Sequence, residues 1–100
     1  MAQNALDFEQ ALVLSKDACA RITAASRRAK AAAPNSTEQG SAQLDKVRAW
    51  ADVCRANILA WPFTSGPEFD ARVSNLDAQL REVARVESLL AALADDRVVA

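Results

Sequence analysis

Small and apolar residues recur along this chain at alternating intervals of three and four, and their numbers in one segment add to a constant with those in the next. Leu12 pairs in this way with Trp61, Ser15 with Ile58, Cys19 with Cys54, Ile22 with Ala51, Ser26 with Val47 and Ala29 with Leu44. Such spacing marks the seam of a helix packed on another helix, and a constant sum is what two antiparallel helices in register produce. The middle residues run against the last third in the same fashion: Trp61 with Phe69, Ile58 with Val73, Cys54 with Leu76, Ala51 with Leu80 and Val47 with Val83. The pattern predicts an all-α fold, an antiparallel up-down-up three-helix bundle with heptad-like seams around one core.

The local signals place the breaks. A chain of 100 residues, 51% of them hydrophobic and 25% charged, makes a single globular domain over 1–100. The first helix is expected over about residues 5–33, capped by Asn4 and ended by Pro34, which cannot donate to the ladder and disfavours helical geometry in the residue before it. Beside its seam stand Ala11, Ala18, Ala25 and Ala32, seven apart, a flank with nothing larger than a methyl group that admits a partner helix closely. The second helix is placed over about 41–61, although Ser36 and Gln39 are spaced as a capping box that would start it earlier; Pro62 stops it. Ser65, Gly66, Pro67 and Glu68 combine a serine cap, a first-turn proline and a glutamate able to reach back. The third helix is therefore expected from Pro67 to about 94. Leu12, Trp61 and Phe69, with Phe8 and Phe63 close by, are expected to meet at one end and anchor the fold.

Charge and chemistry narrow the function. With 12 basic and 13 acidic side chains the net charge is −1, so no global field draws in nucleic acid or an anionic surface. Arg21, Arg27, Arg28 and Lys30 form a local basic patch at the C-terminal end of the first helix, where cations also oppose the helix dipole. Asp45 and Asp52 intrude on that patch from the second helix, which makes nucleic acid the alternative partner and not the favoured one. Glu87, at a seam position, calls for a cation such as Arg28, Lys30 or Arg48 nearby. No apolar run is long enough to cross a bilayer and the N-terminus lacks a secretory signal pattern, so no membrane partner and a cytoplasmic location are expected.

The chain has no histidine, no tyrosine and two glycines. Ser/His/Asp and Cys/His sets are thereby excluded, and no glycine-rich phosphate loop is present. The expectation is a protein that is not an enzyme and carries no cofactor or metal. Cys19 and Cys54 share a layer on facing helices; a disulfide between them needs alpha carbons within about 7 Å, closer than helix axes usually sit. Free thiols packing as small apolar groups are the other outcome.

Leu6, Val13, Leu14, Trp50 and Leu59 lie off the seams and are the candidate partner-binding residues, Trp50 foremost because tryptophan is enriched at the centres of interfaces. These residues point to a small non-catalytic helical module that binds another protein, an adaptor, chaperone or inhibitor acting by surface occupancy, with homodimerisation through the first helix as one form. A nucleic-acid-associated protein using the basic patch, or a structural subunit of a larger assembly, is the alternative. No motif ties the chain to a family.

Overall fold

The computed structural model describes the backbone of residues 5–99 and the side chains of residues 8–95. The expected Asn4 cap and the side chains of Leu6 and Asp96 lie outside the described residues. The fold is an all-α, up-down-up three-helix bundle: α1 (Ala5–Ala31), α2 (Thr37–Ala60) and α3 (Pro67–Val99).

The helix ends follow from capping chemistry. Pro34 stops α1 at Ala31, two residues short of expectation, and Asn35 then takes the left-handed conformation at φ 60°. Ser36 caps α2: its hydroxyl accepts from the Gln39 amide at 3.1 Å and donates to the Ala33 carbonyl at 2.6 Å. The Gln39 side-chain oxygen accepts in turn from the Asn35 amide at 3.0 Å. The serine cap thus starts α2 at Thr37, four residues before the expected position, because the capping-box spacing outweighs the helix-breaking tendency of Gly40. At the next turn α3 begins at Pro67 as expected. The residue before it, however, is Gly66 at φ 106°, so glycine and not Ser65 occupies the cap and the serine–glutamate box is one residue out of phase.

The three helices lie in a row with α2 in the middle. α1 packs on α2 and α2 on α3, while among the described residues no alpha carbon of α1 comes within 8 Å of one of α3. The molecule measures 55 × 23 × 16 Å. Two interaxial spacings of about 8–10 Å plus one backbone cylinder of about 4.6 Å account for the 23 Å width. The closely packed contacts thus form two seams on α2, and at one end Arg28, Ala31 and Ala32 of α1 and Leu90 and Ala94 of α3 line a common cavity.

The α1–α2 seam is made of alanine. Ala11, Ala18 and Ala25 on α1 and Ala42, Ala49 and Ala56 on α2 are all buried, Ala18, Ala42 and Ala49 completely. Both sets repeat every seventh residue and run antiparallel. The expected seam of Leu12, Ser15 and Cys19 is therefore rotated away by one position, about 100° around the helix: Leu12 and Cys19 are exposed. The register is as expected, since Arg21 pairs with Asp52 and Arg28 with Asp45, and these numbers add to the same constant as the pairs read from the sequence. Methyl groups at the centre let the axes approach, and only with the alanines central do both arginines reach the aspartates across the flank.

The α2–α3 seam uses larger side chains. Leu44 and Ala51 on α2 and Val86 on α3 are buried there, and Gly40 sits so close to α3 that a Cβ on it would lie 2.8 Å from the Leu90 Cδ1. Arg48 binds Glu87 at 3.0 Å, one of the partners expected for that carboxylate. At the turn end, the Arg72 guanidinium stacks on Trp61 and donates to the Asn57 carbonyl at 2.9 Å, while Phe63 meets Trp61 edge-on at 6.1 Å between ring centroids. This end does not close into an anchor, because Phe8, Leu12 and Phe63 stay exposed once α1 and α3 fail to meet.

Candidate interaction face

The α1–α2 pair has two broad sides, and their chemistry differs. At about 100° per residue, Asp45, Arg48, Asp52 and Arg55 emerge from one side of α2 and Trp50 from the side directly opposite. On α1, Asp17, Arg21 and Arg28 share the first side, and Phe8, Leu12 and Cys19 the second. Every ion pair that joins two helices among the described residues lies on the first face: Arg21–Asp52, Arg28–Asp45 and Arg48–Glu87. Two intrahelical pairs extend that network, Arg21 to Asp17 at 3.0 Å and Arg55 to Asp52 at 2.6 Å.

Asp52 is the hub of this face. Partial burial pushes its carboxyl up, but hydrogen bonds from Arg21 and Arg55, reinforced by their charges, outweigh that and hold its pKa below the ordinary aspartate value. Half of the basic patch read from the sequence is thus paired: Arg21 and Arg28 hold carboxylates. Arg27 and Lys30 are exposed and have no carboxylate partner among the described residues.

The second face carries three of the large exposed apolar side chains of the α1–α2 pair. Phe8 is 57%, Leu12 48% and Trp50 43% exposed, and Cys19 lies between them in the α1 row. At its turn end Phe8, Ala11, Leu12 and Ser15 of α1 face Ala56, Asn57 and Ala60 of α2 across a groove of about 160 Å³. Leu89 on α3 is also exposed, beside a second groove of about 260 Å³ lined by Gly40, Gln43, Val47, Val86 and Leu90.

The expected partner-binding residues do not form one surface. Trp50 stands on the second face. Val13, 68% exposed, lies on the outer side of α1 and lines a shallow groove with Glu9, Gln10, Leu14 and Asp17. Leu14 and Leu59 are half-buried on the ion-paired side. Leu12 and Phe8, assigned from the sequence to the core, are exposed on the same side as Trp50, nearer the turn end. The signal that finds them is the alanine heptad Ala42, Ala49 and Ala56 of α2: matched to Ala11, Ala18 and Ala25, it turns the leucine row outward.

In the structure Cys19 and Cys54 are unbridged thiols, the second of the two outcomes considered. The rotation of α1 is the reason, because it puts Cys19 on the surface and leaves Cys54 half-buried, where burial pushes its pKa up. No three metal-ligating side chains converge among the described residues, and among them no helix is long and apolar enough to cross a membrane. Compared with known protein families, with characterised proteins and with solved structures, the chain has no significant match.

Proposed function

We propose that this chain is a small non-catalytic interaction module, an adaptor, chaperone or inhibitor that acts in the cytoplasm by occupying the surface of another protein. The observation that carries this reading is the apolar face of Phe8, Leu12 and Trp50, set opposite the side where the interhelical charges are mutually satisfied. Large exposed apolar side chains gathered on one side of a small protein favour contact with another chain.

The nucleic-acid reading draws less support, because Arg21 and Arg28 already hold aspartates and only Arg27 and Lys30 of that patch remain for phosphate. The test is affinity capture from the native cell with the wild-type chain and Trp50→Ala in parallel, together with sedimentation of the purified protein. A defined protein retained by the wild type and lost with Trp50→Ala is expected. Retention of duplex DNA that weakens log-linearly with salt, with no change on Trp50→Ala, would overturn the reading in favour of nucleic acid; a fixed oligomer with no other partner would assign the chain a structural role.

A further inference from the structure

α3 is held to α2 differently along its length. Near its start, the Arg72 guanidinium stacks on Trp61 and donates to the Asn57 carbonyl at 2.9 Å. Farther along, the contact narrows to Leu90, whose Cδ1 would lie 2.8 Å from a Cβ on Gly40, with Val86 buried one turn before it. Leu90 also lines two cavities. One, of about 640 Å³, is shared with Ser41 and Ala94, and the other is the groove of about 260 Å³ shared with Gln43 and Val47. At about 100° per residue Ser41 and Gln43 leave α2 on opposite sides, so open space flanks the Leu90 contact on both. Side chains bordering such space lose the attraction of the missing neighbours.

The other seam is stronger. Ala18, Ala42 and Ala49 are completely buried between α1 and α2, and two ion pairs cross there. Only Arg48–Glu87 crosses from α2 to α3 among the described residues, with both side chains about half exposed, where an ion pair contributes little. No described alpha carbon of α1 comes within 8 Å of α3 to hold it. The connection can also absorb a tilt. Residues 61–66 are not helical, and Gly66, at φ 106°, has nothing within 4 Å of where a Cβ would stand, so its dihedrals can change without collision.

We infer that α3 is a hinged arm: its far part, residues 82–94, lifts off α2 about a pivot at Trp61 and Arg72 while α1 and α2 stay packed. From Arg72 to Leu90 the helix is a lever of about 27 Å, so a tilt of about 10° raises Leu90 by about 5 Å. That clears Gly40 and hardly moves Arg72. The two cavities then join, and Leu44, Val47, Val86 and Leu90 meet solvent. The closed arm is a cover over its own apolar stripe, and this holds whether or not the chain is an interaction module.

The experiment is native-state hydrogen exchange of the full chain, read by mass spectrometry at urea concentrations below the unfolding transition. A helix stripped of its packing exchanges readily, because helices are marginal alone in water. Amides of 82–94 are expected to share one urea-dependent opening and to be less protected than those of 11–25 and 42–56 by about tenfold or more. Leu90→Ala should speed exchange of 82–94 by about tenfold or more, whereas Leu89→Ala, at an exposed neighbour, should leave it unchanged. Ala18→Gly weakens the closed and the lifted states alike. It should therefore speed exchange in α1 and α2 by about fivefold and leave 82–94 as in the wild type. By the same logic Arg72→Ala should speed residues 70–78 and not 82–94.

Equal protection along all three helices overturns the inference, as does a Leu90→Ala variant that exchanges like the wild type. Acceleration of 82–94 by Ala18→Gly or Arg72→Ala to the same extent as the rest also overturns it, because the arm would then open only with the whole bundle or leave without a pivot. Exchange graded inward from the C-terminal end, with no urea dependence, is fraying and overturns it too.

Discussion

Arg72 of α3 lies over the indole of Trp61, 4.4 Å from the ring centroid, and with its hydrogen bond to the Asn57 carbonyl it ties the start of α3 to the end of α2. The same indole has its Nε1 buried without a hydrogen-bond partner, so the ring contributes through its faces and loses something through its edge.

Trp61→Phe should consequently fall within about 1 kcal/mol of the wild type, because lost ring area is offset by relief of an unsatisfied donor. Trp61→Ala, which leaves the Arg72 guanidinium without its platform, should cost about 3 kcal/mol. Urea unfolding of the two variants checks this; equal losses would mean that the indole edge carries no penalty.

The rotation of α1 separates two neighbours. Ala18→Leu places a bulky side chain in a fully closed alanine seam and should cost about 1–3 kcal/mol or more by overpacking. Cys19→Leu, one residue on, should lie within about 0.5 kcal/mol because its side chain enters solvent. The opposite ranking in thermal melts would restore the leucine-and-cysteine seam as the α1–α2 contact.

Asp52 predicts an acid limb. Its folded pKa lies below its unfolded value, so its contribution is complete above the unfolded pKa of about 3.9 and is lost as pH falls through the folded value. Asp52→Asn should cost about 0.5–1.5 kcal/mol near neutral pH, and its stability should converge on that of the wild type once pH has dropped below both values. Chemical denaturation from pH 7 down to about 2 reads the convergence. A constant difference across that range would show that the carboxylate charge contributes nothing.

The thiols give a test of burial. Non-reducing denatured protein should titrate two free thiols, and native protein should react in two phases, Cys19 first and Cys54 slower because it is half-buried and its pKa is raised. Mass spectrometry after a short alkylation pulse distinguishes the sites. A single bridged species, or Cys54 modified first, would contradict the observed orientation of α1.

Several features were legible in the sequence because their causes are local or translational. Pro34 and Pro62 stop helices wherever they stand, and Pro67 starts one. The register between helices could be read from constant sums because the sums survive any rotation of a helix about its axis; the Arg21–Asp52 and Arg28–Asp45 pairs keep the α1–α2 constant. The Arg48–Glu87 pair was among those expected. Less legible was the Ser36 cap, where two local signals four residues apart competed and the hydrogen-bonded one prevailed. The exposed row of α1 was misassigned for the same reason as the core: Leu12 was counted inside and is exposed.

The sequence by itself determined three helices, their order and their longitudinal alignment, since proline, cap and spacing act within a few residues or along a single axis. Only the tertiary structure decided which stripe of α1 turns inward and whether α1 touches α3. Those outcomes depend on a sum over many contacts at once: close methyl packing and two cross-helix ion pairs on one side, burial of larger side chains on the other. The methyl seam prevailed, and it left Phe8, Leu12 and Trp50 facing outward.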